Sequence, residues 1–127
     1  MQESPEILLI DDEYISNLIV SKYLDAIGKK NYVLKKNGRE ALDYLSSLNP
    51  QNLPKFIFVD LRMPIMDGFE FLKLFQEKFN SEGIRIYVLT SSINQSDMTQ
   101  AREYSVIEGY IQKPINPLHL KEILLGD

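Results

Sequence analysis

The stretch FIFVDLRMPIMDG, Phe56 to Gly68, decides how this chain folds. Phe56, Ile57, Phe58 and Val59 are apolar without interruption, the pattern of a short strand buried on both faces. Asp60 follows at once, with no polar buffer between. A carboxylate set directly after a buried strand needs a reason.

Working outward, similar segments recur on both sides. EILLI (6–10), NYVLK (31–35), KFIFV (55–59), RIYVL (85–89) and GYIQ (109–112) read as strands. Between them lie segments with helical spacing. The first helix is expected over Glu13 to Ile27, with Ile15, Leu18, Ile19 and Ala26 inward and Gly28 ending it. The second, Gly38 to Leu48, turns Ala41, Leu42, Leu45 and Leu48 inward. The third, Phe69 to Phe79, offers Phe69, Leu72, Phe75 and Phe79. The fourth, Ser96 to Tyr104, is weakly apolar, with Met98 and Ala101 as its inward residues. The fifth starts at Pro117, a good first-turn residue, and buries Leu120, Ile123 and Leu124.

This order is βα five times. Continuous apolar strands between helices imply an α/β fold, a doubly wound parallel sheet covered on both faces. Right-handed crossovers leave few topologies. The 127 residues suit one domain, residues 1–127, with 1–5 as a short N-terminal tail.

Composition narrows the function. Hydrophobic residues make up 44% and charged residues 25%, the profile of an ordinary globular protein. No apolar run approaches the about 20 residues that cross a bilayer. The start is too short and polar for a signal peptide, so a cytoplasmic location is expected, with no membrane partner. The chain has no cysteine, which excludes disulfides, thiolate metal sites and cysteine nucleophiles. Net charge is −4 without a long basic run, so no direct nucleic-acid contact is expected.

Ligands of such sheets bind beyond the carboxyl ends of the strands. Asp11, Asp12 and Glu13 follow the first strand, and Asp60 follows the third. Thr90, Ser91 and Ser92 follow the fourth, and Lys113 follows the fifth. Adjacent parallel strands would gather three aspartates, a hydroxyl and an ammonium on one rim. Carboxylates so crowded repel each other, and a hard divalent cation such as Mg²⁺ (or Mn²⁺) relieves this. Mg²⁺ favours one or two carboxylates plus phosphate, which points to phosphoryl chemistry. Asp60 is then either a ligand only or a nucleophile, since carboxylates form aspartyl phosphates.

At this point ILLIDDE (7–13), FVDLRMPIMDG (58–68), VLTSS (88–92) and QKP (112–114) stand in order along nearly the full chain. Together they resemble the receiver domain of two-component response regulators, the CheY-like family. The resemblance implies a flavodoxin-like three-layer sandwich with a five-stranded sheet of order 2-1-3-4-5. It implies Asp60 as phosphoacceptor, Asp12 as direct metal ligand, Asp11 acting mainly through water, and the Arg62 carbonyl as a further ligand. It makes Thr90 the switch hydroxyl, Lys113 the phosphate-pairing lysine, Tyr110 the switch aromatic and Lys113–Pro114 a cis peptide. The partner implied is a sensor histidine kinase or a histidine phosphotransfer protein, with an unknown target protein downstream. The chain would catalyse only its own phosphotransfer and autodephosphorylation. The face of helix four, strand five and helix five would change shape, and a homodimer through it rests on family grounds alone.

Plainer readings stand beside these. An Asp after a strand is often a helix N-cap, and a strand tyrosine is often a packing residue. The Asp67–Gly68 pair reads as a turn, and Met63, Pro64 and Met66 as residues shaping the loop over the site. His119 reads as surface, and Lys29–Lys30 with Lys35–Lys36 as a solvated basic corner. Ser91 stands where many receivers carry alanine, and Arg62, Ser91 and Ser92 are expected to flank access to the phosphoryl group. Arg62 is expected to alter the lifetime of the phosphorylated state. Three alternatives compete with a stand-alone receiver: a receiver piece of a longer regulator, a Mg²⁺-dependent aspartyl-phosphate phosphohydrolase, and a flavin-binding relative. Arg62, standing where phosphohydrolases commonly carry a second aspartate, counts against the second. The lack of a Ser/Thr/Gly-rich loop after the first strand counts against the third.

Overall fold

A computed structural model describes residues 5–126. Met1 to Ser4 of the expected tail lie outside the described residues, and Pro5 is already buried. Five strands, β1 (Ile7–Ile10), β2 (Tyr32–Lys35), β3 (Phe56–Val59), β4 (Arg85–Thr90) and β5 (Ile107–Gln112), form one parallel sheet in the order β2-β1-β3-β4-β5. Helices α1 (Tyr14–Ala26), α2 (Gly38–Ser47), α3 (Gly68–Lys78), α4 (Gln95–Ala101) and α5 (Pro117–Leu125) alternate with them.

Side chains alternate along each strand, so one apolar run feeds two cores. Leu8, Ile10, Ile57, Val59, Ile86 and Val88 pack with Ala41, Leu42 and Leu45 of α2 and with Phe69, Phe71, Leu72 and Phe75 of α3. Ile7, Leu9, Phe56, Phe58, Tyr87, Leu89 and Ile111 pack on the other face with Val20 and Leu24 of α1 and with Leu120, Ile123 and Leu124 of α5. The expected α/β three-layer sandwich and its strand order are therefore present.

Four helices begin on side-chain caps. Asn37, Asp67, Asn94 and Asn116 each accept a hydrogen bond from the first turn of α2, α3, α4 and α5. Asp67 of the expected turn thus also starts α3. The inward face of α1 differs from expectation. Ile15, Leu18 and Ala26 are exposed, and Val20 and Leu24 are the buried pair. Apolar residues lie around most of this helix, so spacing alone does not choose its buried side. In α3, Phe71 joins the expected core residues, and its ring stacks with Phe75 at 5.7 Å between centroids. Met66 is buried in the core rather than only shaping a loop. Lys29 pairs with Glu6 at 2.9 Å, so this part of the expected basic corner is engaged.

Candidate functional site

The backbone fixes the site before any side chain is considered. The sheet ladders run one residue past the strands: the Asp11 amide donates to Lys35 O at 2.9 Å, the Asp60 amide to Ile10 O at 2.9 Å and the Lys113 amide to Thr90 O at 2.8 Å. Asp11, Asp60, Thr90 and Lys113 therefore share one rim, and Asp11, Asp60 and Thr90 are buried. Gly68 tightens the loop from behind. A Cβ there would lie 2.3 Å from the Asp60 carbonyl oxygen and 2.9 Å from Leu61 Cα, so only glycine lets α3 start this close to the end of β3.

Lys113 reaches across β4 into the acidic group. Its Nζ lies 2.6 Å from Asp11 Oδ2, 2.7 Å from Glu13 Oε1 and 3.0 Å from Asp60 Oδ2. The other Asp60 oxygen, Oδ1, accepts from the Leu61 amide at 2.7 Å. Carboxylate oxygens of Asp11, Asp12 and Asp60 all lie within 4.8 Å of one another. Asp12 is exposed, and its carboxylate has no ion pair or hydrogen bond among the described residues. The sequence marks Glu13 only as a neighbour of the aspartates; its bond to Lys113 spans 100 positions and has no local signal.

The titrations follow from this crowding. Burial pushes the Asp11 carboxyl up, against the bonds it accepts from Lys113 and from the Glu13 amide; the charge of Asp60 adds to the rise. Burial alone would lower the Lys113 ammonium, but its bonds to Asp11 and Glu13 and the charge of Asp60 raise it instead. Three carboxylates on one ammonium, with Asp12 beside two of them, leave an excess of negative charge with only oxygen donors, which fits a hard divalent cation.

The remaining predicted residues form a second group beside the first. The Ser92 amide donates to Thr90 Oγ1 at 3.3 Å, and the Tyr110 hydroxyl donates to the Ser92 carbonyl at 3.3 Å. Burial pushes the Tyr110 phenol up, while its bond to Ser92 acts the other way. Ser91 is exposed. Arg62 turns its guanidinium onto α4: Nε donates to Asp97 Oδ2 at 3.2 Å and Nη2 donates to Asp97 Oδ1. Asp97 Oδ2 also accepts from the Ser92 hydroxyl at 2.8 Å. Burial pushes the Asp97 carboxyl up, but the Ser92 hydroxyl and the Arg62 guanidinium outweigh this and hold it below the usual carboxylate range. Asp97 was missed in the sequence because an acid in a first helical turn reads as a dipole partner. The Lys113–Pro114 peptide is cis, as the resemblance implies, and His119 is exposed.

This geometry meets a matching family. The model of the response regulator receiver domain matches residues 7–125. The chain belongs to that family. Response regulator Rre1 of Synechocystis sp. is 29% identical over 98% of this chain, which spans 52% of that relative's length. A two-component response regulator from Legionella pneumophila superposes with a TM-score of 0.78 at 28% identity, covering 97% of this chain and 99% of that one. The phosphorylated cyanobacterial phytochrome response regulator RcpA superposes with a TM-score of 0.78 at 26% identity, covering 98% and 91%. Receiver domains are phosphorylation-dependent signalling switches that work with histidine kinases or phosphotransfer proteins and bind Mg²⁺ at their acidic pocket. Among the described residues no helix is long and apolar enough to cross a membrane.

Proposed function

We propose that Asp60 of this chain accepts a phosphoryl group from the phosphohistidine of a sensor histidine kinase or a histidine phosphotransfer protein. The observation that carries the reading is the Lys113 ammonium bridging Asp11 and Asp60 at the sheet rim, with Asp12 beside them. Asp12, Asp60 and the Arg62 carbonyl would hold Mg²⁺ (or Mn²⁺), with Asp11 acting mainly through water. The cation supplies neutralisation of charge on the transferred group. An Asp60 oxygen attacks phosphorus in line, the P–N bond breaks, and its electron pair stays on the donor imidazole. Lys113 is held by its partners where a phosphoryl oxygen on Asp60 will arrive, so little reorganisation is needed. Thr90, buried one strand away, is the hydroxyl that such an oxygen draws inward.

The Ser92 carbonyl links this movement to Tyr110, so the face of α4, β5 and α5 changes and controls a partner. The donor docks where an apolar cleft of about 250 Å³ opens beside Lys113, lined by Ile15, Ile19, Pro114 and Ile115. Ile15 is 63% exposed there, an apolar surface suited to a partner helix. Autodephosphorylation and the chain's own phosphotransfer are the only chemistry assigned, and the cytoplasm is the compartment. Because the chain spans about half of Rre1, a receiver piece of a longer regulator is a second reading.

Intact-mass measurement with acetyl phosphate and Mg²⁺ tests the assignment. The wild type should gain one phosphoryl group and Asp60→Asn none. Full phosphorylation of Asp60→Asn would overturn it.

A further inference from the structure

Arg62 and Asp97 lie 35 positions apart and meet only because β3 and β4 are neighbours in the sheet. Their burial is unequal. The Asp97 side chain is 4% exposed and that of Arg62 62%. A buried carboxylate depends on its partners, whereas a half-exposed arginine can leave for another anion. Asp97 has two kinds of partner, the guanidinium fork and the Ser92 hydroxyl. Ser92 in turn touches both Thr90 and Tyr110. The residue two positions after the phosphoacceptor, the switch hydroxyl, the switch aromatic and the first turn of α4 therefore share one polar unit.

The rest of α4 gives that unit its importance. Beyond Asp97, only Ala101 of this seven-residue helix is buried. The apolar contact that fixes α3 is nearly absent, so the ion pair is a main fastening of α4. The Arg62 amide lies 3.5 Å from Asp60 Oδ1, so a phosphoryl group on Asp60 forms within a side chain's reach of the guanidinium. A phosphoryl group carries more charge than Asp97 and offers three acceptor oxygens to a planar fork.

We propose that Asp97 is a positioning residue: it holds Arg62 and Ser92 against α4 in the unphosphorylated chain, and the phosphoryl group on Asp60 draws Arg62 away, freeing α4 and Ser92 together. This rests on Asp60 being the phosphoacceptor. It adds the groups that carry the new charge to α4 and names the ion pair that is exchanged.

Hydrogen exchange of the amides from Met98 to Arg102 in the intact chain tests it. The variants are Asp97→Asn, which keeps the side-chain shape, Arg62→Gln and the double substitution. Without phosphodonor, each single variant should speed α4 exchange about tenfold, and the double variant should add little more. With acetyl phosphate and Mg²⁺, the wild type should show a similar acceleration and the variants almost none beyond their own. Dephosphorylation supplies a readout that a merely structural role does not move. Asp97→Asn should change the rate constant by about threefold or more in the wild-type background and leave it unchanged in the Arg62→Gln background. Wild-type α4 exchange in unphosphorylated Asp97→Asn overturns the clamp. An undiminished phosphorylation response in that variant overturns the exchange. A wild type that gains no phosphoryl mass sinks the reading of Asp60 and the exchange with it, while the experiment without phosphodonor still decides the clamp.

Discussion

Helices α3 and α4 flank the same rim, yet different forces fasten them. α3 buries Gly68, Phe69, Phe71, Leu72 and Phe75, and its aromatic rings continue in a stack from Phe75 to Phe79 at 5.3 Å. α4 buries Ala101 and a carboxylate, Asp97, whose partners are Arg62 and Ser92. Hydrophobic packing is indifferent to a new charge on Asp60, whereas an ion pair is not. Under the proposed function, the contrast lets Asp60 stay still while one face responds. α3 and Gly68 hold the Asp60 backbone, and α4 is left on contacts that a phosphoryl group can compete for.

The contrast breaks most visibly in the core. Phe75→Ala should destabilise by about 3–5 kcal/mol in urea unfolding, the usual range for a fully buried aromatic. A smaller loss is expected at Gly68. Gly68→Ala pushes a methyl against the Asp60 carbonyl, at a cost of about 2–3 kcal/mol. Its phosphorylation rate should fall further than its stability, because the proposed acceptor, Asp60, itself moves. On α4, Met98 is half-buried, and Met98→Ala should cost only about 1 kcal/mol. If Met98→Ala matched Phe75→Ala, the two helices would not differ in the way described.

The smallest effect is a pH dependence. The folded-state pKa of Asp97 is depressed, so its contribution is present above the ordinary carboxylate value and is lost as pH falls through the folded value. Asp97→Asn should remove that part of the acid slope. Arg62 is half-exposed and solvent screens the pair, so the change should stay within about 1 kcal/mol in urea titrations at successive pH values. An unchanged acid slope in Asp97→Asn would show that the pair contributes nothing to folding.

Much of this was legible in the sequence, for physical reasons. Strands buried on both faces leave continuous apolar runs, and parallel order puts their ends on one rim, so the sequence alone gathers Asp11, Asp60, Thr90 and Lys113. Helices α2 and α3 have apolar stripes that choose a face. α1 does not: Ile15 and Leu18 are as apolar as Val20 and Leu24, and only the packed sheet decides between them. The Arg62–Asp97 and Glu13–Lys113 pairs join distant positions through long flexible side chains, and no local period encodes them. The one available signal for Arg62 and Asp97 is opposite charge in the segments that follow two neighbouring strands, β3 and β4. Reading it required the strand order first.

The central claim is that phosphorylation of Asp60 is felt by α4 and β5 and not by the core of α3. An amide NMR map of the intact chain, recorded before and after acetyl phosphate with Mg²⁺, tests it most directly. The account predicts the largest shifts from Thr90 to Ala101 and around Tyr110, with the amides of Phe71 to Phe75 nearly still. Shifts in Phe71 to Phe75 as large as those in α4, or an unmoved α4 in a phosphorylated chain, would contradict it.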